Sequence, residues 1–120
     1  MNSRPYILFA DDRLTNCFLM SDILAGEFDF FFIPTGGECI KSMEERLPDL
    51  LMIGDSMPIQ DSQETTNILK NHQQYKEVPI MFVNKDNVRL ATDNINQFSL
   101  KKPIDKEQLL WKIEQLLNHS

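Results

Sequence analysis

The sequence contains few of the residues that characterise secreted, fibrous or membrane-spanning proteins. It has 2 cysteines, 4 glycines and 6 prolines in 120 residues. Two cysteines are too few for the disulfide framework of a small secreted protein, and the spacing of Cys17 and Cys39 is not that of metal ligands. We therefore interpret both as small buried apolar residues. No apolar run approaches the length that spans a bilayer, and the chain opens without a basic-then-apolar segment. We therefore expect a cytoplasmic protein.

Basic residues are also in the minority. The chain has 12 Lys and Arg against 18 Asp and Glu, which gives a formal net charge of −6. Such a domain repels phosphate backbones and anionic lipid, so we expect neither nucleic acid nor a membrane as a partner. With 42% hydrophobic and 25% charged residues, the composition is that of an ordinary globular protein. The length fits one domain over residues 1–120.

Short apolar runs alternate with segments of helical periodicity along the chain. The runs that predict strands are residues 6–9, 28–33, 50–53, 79–83 and 98–100. The segments that predict helices are residues 14–25, 38–46, 63–71, 86–95 and 105–117. Five strand-then-helix units in succession predict an α/β fold with a parallel sheet, without a linker or a second domain.

Polar residues follow four of the predicted strands at their carboxyl ends, where the ligands of such sheets bind. They are Asp11 and Asp12 after the first strand, Asp55 and Ser56 after Gly54 at the end of the third, Asn84 after the fourth and Lys102 after the fifth. Alone, an Asp pair before a helix is more often a cap, and a lysine at a strand end is more often solvated. Together, acids and a lysine from separate loops predict a polar site.

These residues resemble the receiver domains of bacterial two-component response regulators, the CheY-like family. The matching stretches are residues 7–12, 48–50 running into Met57-Pro58, 79–83, 35–40 and Lys102-Pro103, so the resemblance covers the whole chain. It implies a flavodoxin-like (βα)5 fold with a doubly wound, five-stranded parallel sheet in the order 2-1-3-4-5. It also implies phosphorelay signal transduction, in which a phosphoryl group passes from a phosphohistidine to an aspartate.

The resemblance assigns roles to individual residues of this chain. Asp11 and Asp12 match the metal-binding acids, Ser56 matches a residue that offers its carbonyl oxygen to the ion, and Lys102 matches the phosphoryl-binding lysine. The acceptor aspartate of the family stands four residues before the proline of the Met-Pro pair. In this chain that residue is Gly54, which has no nucleophile.

Three further family positions differ. Asn84 stands in place of the hydroxyl residue, and Ser99 in place of the aromatic switch residue. Between Asn84 and Lys102 the chain is about four residues shorter than is usual, so we expect the fourth helix to be about one turn shorter. These differences predict a pseudo-receiver that acts through protein–protein interaction, not as an enzyme. Residual magnesium binding at Asp11, Asp12 and Ser56 would be weak, and no other cofactor is implied.

Two alternatives remain open at this stage. A phosphorylatable response regulator with weak, magnesium-dependent autophosphatase chemistry would have to use Asp55 as its acceptor. Strand side chains alternate in direction, so this slip of one residue turns the carboxylate away from the predicted site unless a bulge at Gly54 corrects it. A flavin- or nucleotide-binding enzyme is disfavoured, because the first loop presents Asp11 and Asp12 where Gly, Ser or Thr would cradle a phosphate.

Apolar residues outside the predicted core mark candidate interaction surfaces. Trp111 lies off the apolar stripe of the last helix, and Leu19 and Ile23 lie off the main stripe of the first. Each could pack against a neighbouring element or contact a partner such as a histidine kinase, an output protein or another copy of the chain. The phenylalanine cluster of Phe28, Phe30, Phe31 and Phe32 is interpreted as core.

Overall fold

A computed structural model describes residues 4–11, 13–54, 59–83, 97–100 and 105–118 of the chain. The helix predicted at residues 86–95, with its expected shortening, lies outside the described residues. So do five of the residues assigned to the predicted site, namely Asp12, Asp55, Ser56, Asn84 and Lys102.

The strands form one parallel sheet in the predicted order. They are β1 (Tyr6–Ala10), β2 (Asp29–Ile33), β3 (Leu50–Ile53), β4 (Ile80–Val83) and β5 (Gln97–Leu100). Their order across the sheet is β2-β1-β3-β4-β5, and every neighbouring pair is parallel. The order reverses between β1 and β3, so ligands of such a sheet are expected outside the carboxyl ends of these two strands.

The described helices are α1 (Leu14–Leu24), α2 (Gly36–Glu45), α3 (Ile59–Lys70) and α4 (Lys106–Asn118). Gly26 follows α1 with a φ of 92°, a left-handed conformation that suits glycine and ends the helix where the sequence predicted. Helix α2 begins after Thr35, whose Oγ1 accepts a hydrogen bond from the backbone N–H of Glu38 at 3.2 Å. Helix α3 begins at Ile59, four residues before the predicted start at residue 63.

Two apolar clusters cover the two faces of the sheet. Ile7 and Phe9 face α1 and α4, while Leu8 and Ala10 face the cluster that contains residues of α2 and α3. All four residues of β3 are fully buried, as expected for a strand covered on both sides. The stripe predicted on the last helix is buried or packed against the first cluster, through Leu109, Leu110, Ile113, Leu116 and Leu117.

Both cysteines are free and buried, in agreement with the prediction. Burial raises the pKa of the Cys39 thiol to about 12 because the thiolate would lose its hydration, so this thiol is inert at neutral pH. None of the helices in the described part of the chain has the length and apolarity needed to cross a bilayer.

Two expectations about apolar side chains were wrong. Ile23 is 5% exposed and belongs to the core, because it lies three residues after Met20 and beside Leu24, within the broad stripe that faces the sheet. Phe31 is 55% exposed, because β2 is an edge strand and Phe31 points to the face opposite Phe30 and Phe32. Trp111 is 57% exposed.

Candidate functional site

Asp11 and Gly54 meet at the carboxyl ends of the two central strands. Ala10 of β1 is paired with Ile53 of β3, and the backbone N–H of Gly54 donates to the carbonyl of Ala10 at 2.8 Å. On the other side, the N–H of Asp11 donates to the carbonyl of Ile33 in β2 at 2.9 Å. The backbones of both residues are therefore fixed by the sheet, at the edge where the sequence predicted a polar site.

The Asp11 carboxylate is buried and hydrogen-bonded. Asp11 is only 2% exposed. Its Oδ1 accepts from the backbone N–H of Arg13 at 2.8 Å, a turn in which an aspartate binds the chain two residues further on. Its Oδ2 accepts from Nδ2 of Asn16, also at 2.8 Å. The carboxylate thereby shapes the entry into α1, since Arg13 has the N-cap position of that helix.

Asn16 was not identified from the sequence as a site residue. It lies in the first turn of α1 on the buried side, with Cys17, Met20, Ile23 and Leu24. A polar residue in an otherwise apolar stripe is costly to bury without a hydrogen-bond partner, and here the carboxylate of Asp11 is that partner. The sequence does indicate Asn16 in one way, because it lies four residues before Met20 and therefore on the face of α1 that packs against the sheet.

Gly54 leaves the space that the Asp11 carboxylate occupies. A Cβ atom built on Gly54 would lie 2.6 Å from Cγ and 2.9 Å from Cβ of Asp11, and would overlap Oδ2 outright. Carbon atoms in folded proteins do not approach so closely, so the present position of the carboxylate requires glycine at 54. The side-chain volume missing at position 54 is thus taken up by the neighbouring acid.

The described residues do not fit a magnesium site. Among them there is no group of three or more His, Cys, Asp or Glu side chains that could hold a metal ion. Magnesium requires several hard oxygen ligands in octahedral geometry, and both oxygens of the Asp11 carboxylate already accept hydrogen bonds from N–H groups. Ser99, which stands in place of the family's aromatic switch residue and was expected beside the phosphoryl-binding residues Asn84 and Lys102, lies in β5 next to Phe82 of β4.

Comparison with solved structures shows that the chain has the fold of response regulator receiver domains. A sensor protein from Polaromonas sp. JS666 is similar with a TM-score of 0.84 at 18% identity, over 98% of each chain. The receiver domain of a sensor histidine kinase from Pseudomonas aeruginosa, which holds a magnesium ion in its active site cleft, has a TM-score of 0.81 at 17% identity, over 97% of this chain and 99% of that one. A chemotaxis response regulator of Vibrio cholerae has a TM-score of 0.77 at 18% identity, over 95% and 99%. No family model and no curated protein matches the sequence.

Replacing Gly54 with alanine tests the close approach of Asp11. We expect Gly54→Ala to lower the free energy of unfolding by about 1 to 3 kcal/mol, because the new methyl group displaces the carboxylate from its hydrogen bonds. Gly37→Ala is the matched control: nothing lies within 4 Å of a Cβ at Gly37, which is in α2. There alanine should stabilise by about 0.5 to 1 kcal/mol through helix propensity.

A double-mutant cycle then assigns the cost of Gly54→Ala to Asp11. In an Asp11→Gly background the overlapping atoms are gone, so the same alanine should cost at least about 1 kcal/mol less, as measured by urea denaturation. Strictly additive effects of the two substitutions would contradict the contact.

Proposed function

We propose that this chain is a receiver-like module of two-component signalling that takes no phosphoryl group at position 54 and acts by binding other proteins, not by catalysis. The observation that carries the proposal is the Asp11 carboxylate lying against the α-carbon of Gly54. It supports a site that is filled from within the chain.

The chemistry of phosphoryl acceptance explains why this geometry matters. An aspartyl phosphate forms only where a carboxylate nucleophile faces the incoming phosphorus atom. At the end of β3 the described residue is Gly54, which has no side chain, and its backbone N–H is bound to Ala10. Asp11 is the adjacent acid, and its two oxygens are engaged by Arg13 and Asn16 in shaping the start of α1. These contacts favour a structural role for Asp11.

Phosphorylation is the direct test. Incubation with magnesium and acetyl phosphate, or with a phosphorylated histidine kinase, should give no mass gain of one phosphoryl group by intact mass spectrometry. An Asp55→Asn variant should behave in the same way as the parent. A stable adduct on the parent that this variant loses would instead establish Asp55 as the acceptor and a phosphorylatable response regulator as the function.

An aspartate at position 54 should create a magnesium dependence that we expect the parent to lack. We expect Gly54→Asp to melt below the parent without metal, because its side chain overlaps Asp11 and adds a like charge beside it. Magnesium should recover several degrees of the melting temperature, since a ligand at ten times its Kd stabilises the folded state by about 1.4 kcal/mol. The parent should bind magnesium only at millimolar concentrations or weaker and shift little.

Gly54→Asn is the matched control for this titration. Asparagine has nearly the same volume as aspartate without its charge, so it should lose stability through overlap but gain none from magnesium. Equal magnesium shifts in the parent and in Gly54→Asp would show that position 54 is not the vacated acceptor position.

The proposed binding function needs a surface, and α1 offers one. This helix buries one side in the core, yet Leu14 is 69% exposed, Phe18 67% and Leu19 39%. Leu14 and Phe18 are one turn apart, so they form a continuous apolar strip on the outside of the helix. Trp111 of α4 is exposed on the same side of the sheet, because α1 and α4 both pack on the first apolar cluster. We propose that a protein partner, such as a histidine kinase or an output protein, contacts these side chains.

Single substitutions on this surface should weaken partner binding without changing stability. Phe18→Ala and Trp111→Ala remove exposed side chains, so each should keep the parent's melting temperature and lower the affinity for a captured partner by at least about tenfold. Ile68→Ala is the control, because Ile68 is 50% exposed on α3, which packs on the opposite face. Equal losses of affinity in all three variants, or in none, would contradict this surface.

A further inference from the structure

Among the described residues, β2 has a neighbouring strand on one side only, so its outer edge presents backbone groups that no other strand pairs with. The N–H of Asp29 donates to Pro5 and the carbonyl of Ile33 accepts from Asp11, both at 2.9 Å, so the backbone at positions 29 and 33 faces the chain of β1. Hydrogen-bonding direction alternates along a strand, which turns position 31 toward β1 as well. The N–H and C=O groups of Phe30 and Phe32 therefore point away from the sheet, at the end of the order β2-β1-β3-β4-β5.

The side chains of β2 do not protect this edge. Proteins commonly guard an edge strand with lysine, proline or a bulge, and the sequence of β2, DFFFI, has neither lysine nor proline and pairs with β1 without a bulge. Its one charge, Asp29, is at the start of the strand and forms an ion pair with Arg46 at 3.5 Å. Phe31, at the centre, is 55% exposed.

We propose that β2 pairs with β2 of a second copy of this chain, antiparallel and centred on Phe31. In this register Phe30 lies opposite Phe32 of the other copy and Phe32 opposite its Phe30. These are the residues whose N–H and C=O groups point outward, so each pair exchanges two backbone hydrogen bonds. Phe31 faces Phe31 of the other copy in the more closely spaced, non-hydrogen-bonded pair, where aromatic side chains stabilise one another. The two sheets become one continuous sheet.

Charge favours the antiparallel arrangement over a parallel one. Asp29 lies opposite Ile33 of the other copy, and the two Asp29 side chains are about 13 Å apart along the strand direction, at a rise of about 3.3 Å per residue. A parallel pair would bring the two Asp29 residues side by side. The antiparallel contact is also self-complementary about a two-fold axis, so it closes at two copies.

The dimer should be weak and should strengthen with salt. A five-residue strand and one aromatic pair bury less area than a standard protein interface. Each copy has a net charge of −6, so the two repel at low ionic strength, and salt screens this repulsion. By sedimentation equilibrium, we expect the parent to pass from monomer to dimer between about 1 and 500 µM protein. The dimer should form at a lower protein concentration in about 0.5 M salt than in about 0.05 M salt.

A charge-swap pair tests the central contact. Phe31→Lys and Phe31→Glu should each be monomeric at all concentrations, because like charges meet at the two-fold axis. Mixed in equal amounts, they should form a heterodimer. The side chain is exposed in the monomer, so the melting temperatures should stay near that of the parent. Ile68→Lys, a substitution at another exposed apolar position, should leave the association unchanged.

Disulfide trapping tests the register. Non-hydrogen-bonded antiparallel pairs have Cα atoms about 4.5 Å apart, within the range of a disulfide, so Phe31→Cys should give a covalent dimer under mild oxidation. Asp29→Cys should not, although it would in a parallel pair. The native Cys17 and Cys39 are buried and should not contribute. Three results would overturn the proposal. The parent could stay monomeric at the highest concentration and salt, or Asp29→Cys could form a covalent dimer. The edge of β2 could also bind only extended peptides of other proteins and not a second copy.

Discussion

The close contact between the Asp11 carboxylate and the α-carbon of Gly54 constrains the carboxyl ends of β1 and β3 and the start of α1. It is possible because β1 and β3 are adjacent, fully buried strands whose ends are level. The carboxylate is then held by the Arg13 N–H and the Asn16 amide, which fixes how the chain turns into α1. A side chain at position 54 would overlap the carboxylate in this position, so Asp11 would have to move. The start of the helix and the chemistry of the strand end are thus coupled through one carboxylate.

Most of the fold could be predicted because strands buried on both faces are apolar at every residue, as Leu50–Ile53 illustrates. The order of the strands came from the family resemblance and not from the apolar pattern. The prediction for β2 failed because the sequence pattern there does not show which side chains face the core. The run containing Phe30, Phe31 and Phe32 is aromatic throughout, so alternation does not show which residue faces outward. That Phe31 is exposed depends on β2 being an edge strand, which is a property of the assembled sheet.

The site was predictable only in part. The sequence placed Asp11 at a strand end, and its resemblance to receiver domains implied that Gly54 stands in place of the family's acceptor aspartate. It could not show that the Asp11 carboxylate fills the space at Gly54, since that depends on a side-chain rotation and on the distance between two strand ends. Asn16 was overlooked because an asparagine near a helix start is usually read as a cap. The roles of Asp12, Asp55, Ser56, Asn84 and Lys102 stay predictions.

Gly54 adds no carboxylate to the space that the Asp11 carboxylate occupies. A second carboxylate in this space would repel that of Asp11, which accepts hydrogen bonds from the Arg13 N–H and the Asn16 amide. Leu14, Phe18, Phe31 and Trp111 are all exposed, and the two core clusters are complete without them. Their positions on the outer side of α1, on α4 and at the edge of β2 are the basis of the protein contacts proposed above.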